Sequence, residues 1–172
     1  MYKRQYKVNI LKKKISKINK KVKVKIYTNK ADEKNLGKIL KQYDVIVDGT
    51  DNFKAKFLLN KFSLKYKKKL IIGAISKFEG HIFTFDFSLK KSPCLKCFYQ
   101  GEPAEGVLDC ETDGILGSTA VITGSLQANE VLKAILNVGK NLNSHILIID
   151  LLNLKFRKVL FRKRKGCICE NI

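Results

Sequence analysis

Arginine is scarce in this chain: four residues stand against 31 lysines. Acidic residues are also few, 15 against 35 basic ones, for a formal net charge of +20. A nucleic-acid partner is one reading of that charge. The shortage of arginine argues against it, because base-edge readout favours the guanidinium fork. The lysines are scattered along the chain and come with many Ile, Asn and Phe, as AT-rich coding produces. Nucleic acid is therefore not expected as a partner. No apolar run approaches the roughly 20 residues that a membrane helix needs. The opening MYKRQYKVNILKKK has no apolar core followed by small residues, so no secretory leader is expected. There is no G-x-G-x-x-G anywhere, hence no ordinary glycine cradle for a phosphate. Internal repeats and linkers are absent as well.

What remains is a 172-residue chain with 45% hydrophobic residues, enough for one domain with a real core. The expectation is a soluble, cytoplasmic protein. Residues 1–5, MYKRQ, read like translated adapter sequence rather than a natural start.

The apolar spacing between residues 6 and 20 is mostly helical. VKVKIY, residues 22–27, alternates with period two and predicts a strand. ADEKNLGKILKQY predicts a short helix with acidic residues in its first turn. DVIVD predicts a buried strand, residues 52–68 a helix with Phe53, Phe57, Leu58, Phe62 and Leu64 inward, and LIIGAI a second buried strand. This alternation is the α/β signature. GHIFTFDF then predicts an antiparallel neighbour. The following segment, rich in Cys, Pro and Gly, reads as loop. Residues 114–136 predict a long apolar helix, whose Gly117, Ser118, Ala120, Gly124, Ser125 and Ala128 would allow close packing. Two final strands with a turn near Leu152 and Asn153 complete the pattern.

In an open α/β sheet, ligands sit beyond the C-terminal ends of the parallel strands. DGTDN, residues 48–52, lies at such an end. Asp48 and Asp51 carry the hard oxygens that Mg²⁺ takes alongside phosphates. Asp51 or Asn52 can equally cap the helix that follows, and the two roles are compatible. Of the five cysteines, Cys94 and Cys97 form a C-x-x-C knuckle after a proline, a common zinc half-site. Cys167 and Cys169 would supply the other half, across a gap too long for a local finger. Four unligated thiols are the plain alternative. Cys110 is left over.

The stretches DVIVDGTDNFKAKFLLN, LIIGAISKFEGHIFTFD, PCLKCFY, CETDGILGSTAVITGSLQANEVLKAIL and FRKRKGCICE together resemble the ThiF/MoeB/HesA family, bacterial relatives of the ubiquitin-activating enzymes. The resemblance runs from about residue 6 almost to the end. It implies a Rossmann-like α/β fold, mostly parallel, with helices on both faces and antiparallel C-terminal strands. It also implies ATP and Mg²⁺ as cofactors and adenylylation of a small ubiquitin-like sulfur carrier ending in Gly-Gly. Thiamine or molybdenum-cofactor synthesis would be the purpose. Asp51 matches the aspartate that holds Mg²⁺ against the ATP phosphates, with Asp48 and Asn52 supporting its loop. Lys7 falls near a family lysine that contacts ATP phosphates. Cys94 and Cys97 match the first zinc pair. The second family pair is C-x-x-C, whereas Cys167 and Cys169 form C-x-C. Cys110 stands where several members carry a reactive cysteine. Members are usually homodimers.

The family's glycine-rich loop, ribose-binding acid and phosphate-contacting arginines match nothing here. The chain therefore reads as the C-terminal part of one such domain, expected to bind ATP weakly and catalyse little by itself. Two other readings stay open: adenylation of a different substrate, such as a transfer RNA or a peptide, and a non-catalytic zinc-stapled binding module.

Overall fold

A computed structural model describes residues 6–101, 103 and 114–170. The chain divides into two compact units, residues 1–31 and 32–172. In the first, helix α1 spans Lys7–Ile18. It ends where Asn19 turns extended, its N–H bonded to the Ile15 carbonyl at 2.8 Å. The strand expected over residues 22–27 does not form: the segment joins no ladder among the described residues. Alternation shapes a strand, but only a neighbour accepting its N–H groups makes one.

The second unit is a five-stranded sheet with helices on both faces. In order come α2 (Leu36–Leu40), β1 (Val45–Asp48), α3 (Phe53–Lys65), β2 (Lys69–Ser76), β3 (Glu79–Asp86), α4 (Leu95–Tyr99), α5 (Gly117–Leu136), β4 (His145–Asp150) and β5 (Lys155–Leu160). The spatial order is the sequence order. β1 and β2 run parallel, joined by the α3 crossover, and each later strand is antiparallel to the one before. The sheet is thus mixed, with an α/β parallel pair continued by a meander.

The period-two alternation of the strands sorts the core into two layers. Leu70 and Ile72 of β2, Phe83 and Phe85 of β3, and Ile146 of β4 face one side, with Phe57, Phe62 and Leu64 of α3. Ile71, Ile82 and Ile149 face the other, with Ile122 and Leu126 of α5 packed on them. Among the described residues, no helix is long and apolar enough to cross a membrane.

Two helices depart from expectation. α2 is short, as expected, at five residues, but it carries no acidic residue in its first turn. Before it, the Asp32 carboxylate accepts the amides of Lys34 and Asn35 at 2.8 and 3.0 Å, which favours a turn over another helical turn. α4 forms inside the expected loop because a distant side chain starts it: Asn60 Oδ1 accepts the Leu95 amide at 3.0 Å.

Candidate active site and cysteine cluster

α5 lies on the sheet through residues other than its small ones. Gly117, Ser118, Ala120, Gly124, Ser125 and Ala128 are all exposed. The face turned to the sheet carries Thr119, Thr123, Gln127, Glu130 and Ala134, all buried. The close approach comes from the sheet instead. A Cβ on Gly73 would collide with the Gln127 side chain, and one on Gly80 with Thr123 Oγ1. Gln127 Nε2 thereby reaches the carbonyl of Asp48, at 2.9 Å. Farther along, Glu130 accepts from Thr84 Oγ1 at 2.8 Å, the Leu142 amide at 2.8 Å and Asn141 Nδ2 at 3.0 Å, and pairs with Lys133. Burial alone would raise its pKa; those donors outweigh it and hold the carboxyl below its ordinary value.

Between α5 and the ends of β1 and β2 lies a cavity of about 240 Å³. Thr50, Asp51 and Asn52 line it from the loop after β1, and Ala74 and Ile75 from β2. Ala120, Thr123 and Gly124 face it from α5. It occupies the place where an α/β sheet binds ligands, beyond the C-terminal ends of parallel strands.

Asp51 lies on the cavity wall, its Oδ1 accepting from Asn52 Nδ2 at 3.1 Å. Asn52 is the N-cap of α3, its Oδ1 accepting the Ala55 amide at 2.8 Å. Asp48 is engaged within the fold. Its Oδ1 accepts from the Thr50 amide at 2.9 Å and from Thr50 Oγ1 at 2.7 Å. Its Oδ2 pairs with Lys56 Nζ at 3.0 Å, and that ammonium also donates to the Gly73 carbonyl at 2.9 Å. Asp48 thus bonds to Thr50 and Lys56, and of the two carboxylates of this loop Asp51 is the one on the cavity wall. Lys7 belongs to the other unit, and Cys110 lies outside the described residues.

Sequence reasoning missed Lys56 and Gln127. Lys56 is one lysine among 31. The available signal was position: Lys56, Asn60 and Ser63 share the buried side of α3 with Phe57 and Leu64. A polar stripe on a core-facing side marks side chains held by tertiary bonds.

On the side of the sheet that α3 covers, the Sγ atoms of Cys94, Cys97, Cys167 and Cys169 lie within 4.8 Å of one another. Cys94 and Cys167 are 3.6 Å apart, and Cys97 and Cys169 3.4 Å. Four thiolates at about 2.3 Å from one zinc ion sit about 3.8 Å from each other, so this set fits tetrahedral zinc. The C-x-C reaches it on a tight turn that the Glu170 amide closes on the Cys167 carbonyl at 2.8 Å, just after Gly166, φ +71°, whose amide the Glu170 carboxylate accepts at 2.6 Å. Burial, then the neighbouring Cys97 and Cys167, push the Cys94 thiol up to about 12. Burial raises Cys169 also, whereas at Cys167 the hydrogen bonds from Cys169 and the other cysteines outweigh burial and lower it. With all four positions filled by sulfur, such a site is structural.

Sheet, cavity and cysteine cluster together define an α/β domain with a candidate ligand site at the ends of its parallel strands and a four-sulfur staple on the C-terminal segment. The ThiF family profile matches residues 2–170, and the chain belongs to that family. It is 33% identical over 162 residues to a sulfur carrier protein adenylyltransferase of Thermus thermophilus, covering 92% of this chain and 60% of that protein. It is 36% identical over 152 residues to a probable molybdopterin-synthase adenylyltransferase of Gracilaria tenuistipitata, covering 88% of this chain and 42% of that one. The crystal structure of Escherichia coli MccB with ATP shares the fold, at a TM-score of 0.78 and 17% identity over 96% of this chain and 51% of that one. The chain thus spans about half the length of these proteins.

Proposed function

We propose that the protein carrying this chain uses ATP to adenylylate the C-terminal glycine of a small ubiquitin-like sulfur carrier. The observation that carries the reading is the position of Asp51, on a cavity at the C-terminal ends of the parallel pair. The family and the two named relatives support it.

At about 240 Å³ the cavity is smaller than the roughly 300–1,000 Å³ of drug-sized ligand sites. It suits a chain end without a side chain better than a whole nucleotide. Its walls agree, with Gly49, Gly73, Ala74, Ala120 and Gly124 among them. In the proposed reaction a glycine carboxylate oxygen bonds to the α-phosphorus of ATP, and the bond to the pyrophosphate oxygen breaks. Asp51 offers oxygen donors at the cavity, the chemistry a hard cation takes. Magnesium bound there would offset charge on the departing pyrophosphate. Asp48 and Asn52 hold the loop that presents Asp51. A phosphate contact is assigned to Lys7 on the family resemblance alone. Cys94, Cys97, Cys167 and Cys169 would hold zinc as a staple between α4 and the C-terminal segment. Cys110 is proposed as the residue that links covalently to the carrier. A homodimer in the cytoplasm, serving thiamine or molybdopterin synthesis, completes the reading.

ATP–pyrophosphate exchange by the full-length gene product tests it, with carriers ending in Gly-Gly added one at a time. Exchange that appears with one carrier and vanishes in Asp51→Ala, at unchanged folding, is the expected result. No exchange with any carrier from folded, zinc-loaded protein would move the assignment to a peptide or transfer RNA substrate, or to a binding module.

A further inference from the structure

Lys56 and Asp48 are a buried ion pair, with side-chain exposures of 7% and 0%. A buried pair seldom stabilises a fold more than apolar residues of the same volume would. Its place beside the cavity, which Lys56 lines, points to a task other than stability. We infer that Lys56 is a positioning residue, which acts through Asp48 to hold the loop of residues 49–52 so that Asp51 faces the cavity. The inference rests on the reading of Asp51 given above.

The bonds converge on that loop. The Lys56 ammonium joins the carboxylate at the end of β1 to the Gly73 carbonyl of β2, at 3.0 and 2.9 Å. The same Asp48 carboxylate holds Thr50 by both its amide and its hydroxyl. On the far side of Asp51, Asn52 is fixed as the helix cap, and the Lys56 amide donates to its carbonyl at 3.3 Å. Asp51 is therefore suspended between two anchored residues, and Lys56 touches the anchor on each side. Gly49 offers no side chain, and a Cβ there would meet nothing within 4 Å. Gln127 and the β1 ladder hold the Asp48 backbone, and the ion pair adds the restraint on its side chain, from which Thr50 hangs. A lysine with two hydrogens directed at two different strands does what an apolar side chain of equal length cannot: it fixes the rotamer of Asp48.

The test is made on the full-length gene product with Lys56→Met, Lys56→Arg and the double variant Lys56→Met/Asp48→Asn, which leaves no charge buried and keeps the measurement open should the single variant fail to fold. Two readings are taken: amide hydrogen exchange of residues 49–52, and the magnesium concentration that half-activates ATP–pyrophosphate exchange. In Lys56→Met and in the double variant, both are expected to rise by about tenfold or more. Lys56→Arg, which still reaches Asp48, should return both to within about threefold of the original protein. Unchanged loop exchange and unchanged magnesium dependence in a folded Met variant overturn the proposal. If the unaltered protein shows no exchange with any carrier, the proposed reaction fails, and the amide-exchange reading alone decides the role of Lys56.

Discussion

The sulfurs of Cys94 and Cys167, 73 residues apart in the chain, lie 3.6 Å from each other. That contact ties the start of α4 to the C-terminal segment. Purified protein is expected to carry one zinc per chain by atomic emission. Removing the metal, or replacing Cys167 by Ser, should lower the thermal midpoint by about 10 °C or more, because binding energy at a structural site is folding energy. Metal-free protein with an unchanged midpoint would mean that the thiols are unligated.

The closeness of α5 to β2 rests on Gly73. Gly73→Ala should destabilise the protein by about 1–3 kcal/mol, since the new methyl must displace Gln127 from its bond to the Asp48 carbonyl. Pairing it with Gln127→Ala should recover part of that loss. Urea unfolding of both variants measures it, and equal midpoints for Gly73→Ala and the original protein would contradict the packing described.

Asn52 caps α3 with one hydrogen bond of 2.8 Å. Asn52→Ala should cost about 1 kcal/mol, and Asn52→Asp, which keeps the acceptor oxygen, much less. Chemical denaturation separates the two. Equal losses would place the role of Asn52 in the cavity rather than in the cap.

The Glu130 carboxyl is held below its ordinary value of 4.5 in the folded protein. Its contribution is therefore complete above the unfolded value and is lost as pH falls below it, toward the folded value. Stability measured from pH 6 down to pH 3 should decline less steeply in Glu130→Gln than in the original protein. Parallel curves would show that Glu130 titrates alike in both states.

How much of this was legible beforehand varies with the range of the interactions. The strands around Ile46 and Ile71 were readable as short continuous apolar runs, and the one around Phe83 from its alternation. The hairpin expected near Leu152 and Asn153 turns over residues 151–154. α4 was not readable, since Asn60, 35 residues earlier, supplies the bond that starts it. Nor was the orientation of α5: its composition suggested a helix approaching through its own small residues, while the glycines that permit the approach lie in β2 and β3.

The sequence by itself determined the α/β class, the DGTDN loop after a buried strand, the C-x-x-C knuckle and the family, all of them properties of residues near one another in the chain. Only the tertiary structure decided which carboxylate of that loop reaches the cavity and which is locked against Lys56. It also decided that a C-x-C can close a four-sulfur cluster. In each case the partner comes from another element of the fold, and buried polar groups must be satisfied by whatever packing brings within about 3 Å.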